Sequence, residues 1–310
     1  MRVLVALGGN AMTSPEGSAT PEAQRTAIAG AMECVADLVA AGHEVVITHG
    51  NGPQVGNLLV KNELAANVVP PVPLDWNGAQ TQGTIGFTVM NTLEPALIRR
   101  GCPRPTAAVV TRTLVNGDDP GFTHPTKPVG RFLPYEDARP LIEHGQIWED
   151  RGAKGWRRVV ASPEPLEVID THTVRTLLAA GYVVTAAGGG GIPVVRDADG
   201  QLRGVEAVID KDLTAAILAR SLDADVLVIA TDVDHAIVGY GTADAQPLGV
   251  VTPAQMREYA AAGHFASGSM GPKVEAAVRF VESGGHRSVI TSLAHIAEAV
   301  TGAYGTCIES

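Results

Sequence analysis

The 310-residue chain is 45% hydrophobic and 18% charged, a globular balance that excludes a disordered chain, and its length suits two domains or one large α/β unit. A formal net charge of −10 excludes sequence-independent nucleic-acid binding, which needs a basic face, but not an anionic substrate met by a few local lysines. Cys34, Cys102 and Cys307 share no metal-ligand spacing, the seven residues before Gly8-Gly9 are too few for a signal-peptide core, and no apolar run would span a membrane, so a cytoplasmic protein is expected.

Arg2 to Leu7 reads as a buried strand ending at Gly8-Gly9-Asn10. A helix is expected from Pro21 to Ala41, with Thr20 as N-cap, Pro21 in the first turn and Gly42 at the C-cap. Glu44 to Thr48 is a second strand, running into His49-Gly50-Asn51-Gly52-Pro53. Helices from Gln54 to Ala66 and from Ala79 to Arg100 flank a proline-rich segment, and Thr106 to Val115 reads as a third strand. Between Asp118 and Arg158, prolines at 120, 125, 128, 134 and 140 join a basic cluster of Lys127, Arg131, Arg151, Lys154, Arg157 and Arg158, which suggests an inserted lobe or lid. Val159 to Ala161 is expected to return to the main body, followed by a helix from Thr171 to Ala180.

Tyr182 to Ala187 is a short apolar run that enters Gly188-Gly189-Gly190-Gly191. Asp199-Gly200 marks a hairpin turn, and Val205 to Ile209 leads to Asp210-Lys211-Asp212 at the mouth of a helix, Leu213 to Leu222. A strand from Asp225 to Ala230 precedes Thr231-Asp232-Val233-Asp234. Helices at Pro253 to Ala262, Gly271 to Ser283 and Leu293 to Thr301, with a strand from Arg287 to Thr291, complete the chain. Recurring strand–turn–helix units predict an α/β fold with a mainly parallel sheet covered by helices, divided into two lobes near Glu206.

Three strands therefore end in glycine turns, and ligands of open α/β sheets gather beyond the carboxyl ends of strands. Without a Cβ, backbone N–H groups can converge on an anion, although any one such turn is equally an ordinary strand-to-helix connection. No G-x-x-x-x-G-K-[ST] is present, which excludes a P-loop NTPase. The dinucleotide fingerprint fails at Pro193, leaving a Rossmann oxidoreductase as a runner-up. Lys211 beside Asp212 suits a phosphate-handling group, because the neighbouring carboxylate can hold the lysine in position. Lys273 falls in a first helical turn, where the dipole disfavours a cation unless negative charge is near. Thr231 to Asp234 could face a nucleotide or its metal, or be an aspartate-stabilised turn. His49 reads as structural, and no H-E-x-x-H or G-x-S-x-G motif occurs.

ALGGNA at 6–11, THGNGPQVG at 48–56, DDPGFTHPTKPVGRF at 118–132, ASP at 161–163, GGGGIPV at 188–194, GVEAVIDKD at 204–212, TDVD at 231–234 and GSMGPKV at 268–274 together resemble the carbamate kinases of the amino acid kinase superfamily. The resemblance implies a three-layer α/β/α sandwich around a largely parallel eight-stranded sheet, with a protruding lid subdomain at 123–158, assembled as a homodimer. It implies an acceptor lobe, 1–205, for carbamate or carbamoyl phosphate, bordered by Gly8, Gly9, Asn10, Gly50, Asn51, Gly52, Gly189 and Gly190. A nucleotide lobe, 206–310, would hold ATP or ADP with Mg²⁺ against Thr231, Asp232, Val233, Asp234, Ser269, Met270 and Gly271, with Tyr240 near the base. Lys211 and Lys273 would contact the transferred phosphoryl group, Asp212 would orient them, and Lys127 would reach in from the lid. No metal ligand is assigned to the protein. The sequence departs from the expected pattern at Asn77 (where cysteine is expected), at Phe87 (tyrosine) and across 235–240. A kinase of the same superfamily for another small acid, such as acetylglutamate, aspartate or glutamate, and a catalytically silent nucleotide-binding relative are the alternatives.

Overall fold

A continuous apolar run can be buried on both faces only inside a parallel sheet, and Arg2–Leu7 (β1) takes that place in the computed structural model, which describes residues 1–13, 20–266 and 268–310. The other strands of the main sheet are Glu44–His49 (β2), Thr106–Ala108 (β3), Val183–Thr185 (β4), Val226–Thr231 (β5), Val250–Val251 (β6), Arg287–Ser292 (β7) and Thr306–Glu309 (β8). Their order is β6-β8-β7-β5-β1-β2-β4-β3, and every neighbouring pair is parallel except β7 with β8.

Alternate residues of β1 serve two cores. Val3, Val5 and Leu7 pack with Ile28 and Met32 of Pro21–Ala40 (α1) and with Ile85 and Leu93 of Leu74–Arg99 (α3), while Gly52–Ala65 is α2. Leu4 and Ala6 face the other way, against Val174, Leu218 and Phe280 of helices Thr171–Ala179, Lys211–Ser221 and Met270–Glu282. The result is the expected three-layer sandwich. Thr20 caps α1 as expected, its hydroxyl accepting from Ala23 N at 3.3 Å.

The lid is a three-stranded antiparallel sheet of Lys127–Leu133, Trp156–Val160 and Trp148–Asp150 with the helix Tyr135–Glu143. It has its own small core of Leu133, Ala138 and Trp148, and it seats on α2 through Val129 and Val160 against Val55 and Leu59.

Several expectations are corrected. The strand expected over 106–115 breaks after Ala108, and Arg112–Val115 joins a separate sheet with Pro165–Val168, Ile192–Arg196 and Leu202–Gly204. At the break the Gln82 carboxamide replaces a strand partner: Thr111 N donates to its Oε1 at 2.8 Å and its Nε2 donates to Thr111 O at 3.1 Å. Helix α3 begins at Leu74, five residues before Ala79, because Glu206 accepts from Leu74 N at 2.8 Å and caps it from far along the chain. Val159 and Val160 belong to the lid sheet, and Ala161 makes the bridge to Ala207 of the body. The helix expected from Leu213 starts at Lys211, and the strand Thr306–Glu309, which lies between β6 and β7, was not anticipated.

Candidate active site

Strands β1, β2 and β4 are adjacent and parallel, so their glycine turns meet at one edge of the sheet. The packing there leaves no room for side chains. A Cβ on Gly188 would lie 2.4 Å from His49 Nε2, and one on Gly189, whose φ is +67°, would lie 2.1 Å from Asn51 Nδ2. The turns are not simply a ring of free amides. Gly8, Gly50 and Gly190 donate their N–H groups to Ala230, Leu7 and Ala187 carbonyls, at 2.9, 3.0 and 3.0 Å, so they shape the floor. Thr113 and Thr214 hydroxyls donate to Gly190 O at 2.8 and 3.0 Å, and Gln82 Nε2 donates to Gly188 O at 3.0 Å.

Beside this floor lies a cleft of about 550 Å³. Gly50, Asn51, Gly52 and Gly189 line one wall, Lys211, Asp212, Gly268, Ser269 and Lys273 another, and Lys127, Arg131 and Arg157 of the lid close it. Five cations thus face two carboxylates, Asp210 and Asp212, in a protein whose net charge is −10.

Asp212 organises the centre. It is 4% exposed; Lys211 Nζ donates to its Oδ1 at 2.5 Å and Lys273 Nζ to its Oδ2 at 3.1 Å. Burial alone would raise its pKa, but the two ammonium groups, Lys211 first, hold it below its ordinary value of 3.8. Both lysines sit in first helical turns, where the dipole disfavours a cation, and each has the negative partner that this placement required. The whole arrangement is a pair of fixed positive charges at a glycine-lined edge, open to an anion.

A sequence model of the amino acid kinase family matches residues 1–292. The chain belongs to the amino acid kinase family. Carbamate kinases of Thermococcus kodakarensis and Pyrococcus furiosus are 46% and 44% identical over 310 and 308 residues, each covering 98% of both chains. A Giardia lamblia carbamate kinase bound to AMP-PNP superposes with a TM-score of 0.93 at 40% identity, covering 99% of this chain and 98% of that one.

In this amino acid kinase some expected site residues stand apart from the cleft. Thr231 ends β5 beside Gly8, and its hydroxyl donates to Asp232 Oδ1 at 3.0 Å. Asp234 accepts from the Tyr304 hydroxyl at 3.1 Å, and hydrogen bonds from Ser292 and Tyr304 hold its carboxyl below the usual range. Val233 lies between them, and Tyr240 is 76% exposed on the Ile237–Val238 and Gln246–Pro247 hairpin. Met270 and Gly271 form the first turn behind Ser269, with Gly271 N donating to Ala266 O at 2.9 Å. Gly9 approaches Gly50 closely, and the Asn10 side chain lies outside the described residues.

Thr81, not singled out beforehand, supports the cleft. Asn51 Nδ2 donates to Thr81 Oγ1 at 2.8 Å, tying the second glycine turn to α3. Arg131 and Arg157 line the cleft, and their basic cluster was the available signal. Asn77, 0% exposed, has no described partner for either carboxamide atom, and Phe87 is exposed on the α3 surface.

His49 proves structural. It is 1% exposed, and its Nδ1 donates to Gly50 O at 3.0 Å, so Nδ1 carries the proton of the neutral ring. Burial drives its pKa from 6.5 down to about 4, with Lys211 adding to the effect and the Gly50 bond opposing it. In the unfolded chain the ring takes a proton near pH 6.5, whereas the folded protein refuses it until about 4. The contribution is therefore fully present above pH 6.5 and is lost as pH falls through that window, on the order of 3 kcal/mol in all. Urea unfolding between pH 4 and 7 should show this slope in the native protein and a much flatter one in His49→Asn; parallel slopes would remove His49 as the cause.

Proposed function

We propose that this amino acid kinase is a carbamate kinase, moving a phosphoryl group reversibly between ATP and carbamate. The observation that carries the reading is the convergence of Lys211 and Lys273 on buried Asp212 at the glycine edge. The named relatives supply the acceptor. Carbamate is already an anion, so its oxygen attacks the γ-phosphorus without a general base, in keeping with a cleft whose lining includes no histidine among the described residues. The obstacle is charge: two anions meet, and negative charge builds on the bridging oxygen as the phosphoryl group passes. A unit pair about 4 Å apart is worth on the order of 4 kcal/mol at an effective dielectric near 20, which exceeds the screened field of a distant acidic surface. Asp212 keeps the two ammonium groups aligned toward the same point.

The nucleotide enters as its Mg²⁺ complex. Among the described residues no group of three or more carboxylate, histidine or cysteine side chains could cage a metal, and both Asp212 oxygens hold lysines, so the protein suits a metal carried on phosphate oxygens. When bound, that metal neutralises charge on the β- and γ-phosphates.

In this reading residues 1–205 hold the acceptor, with Gly52 and Gly189 at the wall and Lys127 above, while 206–310 hold the nucleotide between Thr231–Asp234 and Ser269–Gly271, with Tyr240 toward the base. The protein works as a homodimer: Trp76, Phe87 and Ile98 repeat every eleven residues along α3, which stacks them on one exposed apolar stripe near the edge strand β3. Three free cysteines suit the reducing cytoplasm.

The test is ATP formation from MgADP and carbamoyl phosphate by the purified protein. ATP is expected; phosphorylation of acetylglutamate, aspartate or glutamate in its place would overturn the acceptor.

A further inference from the structure

Lys127 does not stand alone in the cleft: its Nζ donates to Asp210 Oδ2 at 3.0 Å. The other oxygen of the same carboxylate caps the helix Lys211–Ser221, accepting from Asp212 N at 2.9 Å and Leu213 N at 3.3 Å. One side chain thus joins the lid to the turn that carries Lys211 and Asp212. The remaining attachments lie elsewhere. Val129 and Val160 seat the lid on α2, Arg131 pairs with Glu63 of α2 at 3.3 Å, and Arg158 approaches Glu206 at 3.6 Å.

We propose that Asp210 is a positioning residue, which docks the lid against the phosphoryl-transfer lysines and fixes Lys127 over the acceptor before substrate arrives. The inference rests on the carbamate kinase reading for its kinetic consequence but not for its structural one. The pair is partly shielded, with Asp210 15% and Lys127 39% exposed at the side chain, so it holds a defined geometry better than a surface pair does. The capping bonds fix the carboxylate plane, and this plane aims Oδ2 at the lid. Acting through Lys127, Asp210 takes no part in the chemistry itself.

Asp210→Asn separates the two functions of the residue. Asparagine is as good an N-cap as aspartate, so the helix keeps its start while the lid loses its charged partner. In the substrate-free protein, hydrogen–deuterium exchange of Lys127–Leu133 and Trp156–Val160 should speed up in the variant, while Lys211–Ser221 stays as protected as before. Equal loosening of that helix, or no change in the lid, would overturn the proposal. In steady state the KM for carbamoyl phosphate should rise about tenfold with the KM for ADP unchanged and kcat reduced far less, short of the roughly 10²-fold cost of misplacing a reacting group. A fall in that KM would mean that Asp210 competes with the substrate for Lys127, and would also overturn it. In a Lys127→Met background the added Asp210→Asn change should do nothing further to KM; an additive loss would show a route that bypasses Lys127. A protein that makes no ATP from carbamoyl phosphate yet shows the lid response would sink the catalytic reading and leave the docking intact.

Discussion

Lys211→Ala and Lys273→Ala should each lower kcat by roughly 10²–10³, the usual cost of removing one donor aimed at transition-state charge. The reason lies in when the charge appears. In the ground state the nucleotide phosphates are already neutralised in part, so losing one ammonium changes binding modestly. During transfer, negative charge spreads over the equatorial oxygens and the bridging oxygen, and a fixed cation is then worth most. The two lysines approach from different helices, Lys211–Ser221 and Met270–Glu282, so each has its own support and neither replaces the other. Each single variant still leaves Asp212 one partner, so the fold should survive and the loss should read as kcat. Steady-state kinetics with both substrates saturating decides the matter. Near-native turnover in both variants would remove these lysines from the reaction.

What could be read ahead of the structure follows the range of the forces involved. Strands β1, β2 and β5 were visible because burial on both faces demands uninterrupted apolar runs. The start of α1 was visible because its cap is three residues from the amide it serves. The start of α3 was not, since Glu206 caps it from 132 residues away. The break after Ala108 was hidden for the same reason: Thr111 is satisfied by a glutamine side chain from helix α3, which no local pattern announces. The site divides along the same line. Lys273 stood out as a cation placed against a helix dipole, and that anomaly pointed correctly to a negative partner. That the partner would be Asp212, already held by Lys211, required 61 residues of chain to fold back. Asp210 was legible as one of two carboxylates flanking Lys211, but its cap and its hold on Lys127 depended on where the helix began.

Asp212 itself carries the largest expected effect on stability. Replacing it by asparagine leaves two ammonium groups, now at 2.5 and 3.1 Å from the carboxylate, facing a neutral amide at a site 4% exposed. Breaking a buried ion pair by removing one partner costs about 3–5 kcal/mol, because the surviving charges remain desolvated and uncompensated. Asp212→Asn should therefore unfold at markedly lower denaturant at neutral pH, and its kcat should fall at least as far as in either lysine variant, since both cations lose their common anchor. The acid dependence gives an independent sign. The native Asp212 carboxyl is held below its ordinary 3.8, so its contribution is complete above that pH and disappears as pH falls through the folded value. The gap in stability between native protein and variant should accordingly be widest near neutrality and narrow on acidification below pH 3.8. The acid loss caused by His49 is common to both proteins and cancels in the difference. Equal unfolding midpoints at neutral pH would mean that the two ammonium groups are held in place by something other than this carboxylate, and the case for a cation pair organised around Asp212 would fall with it.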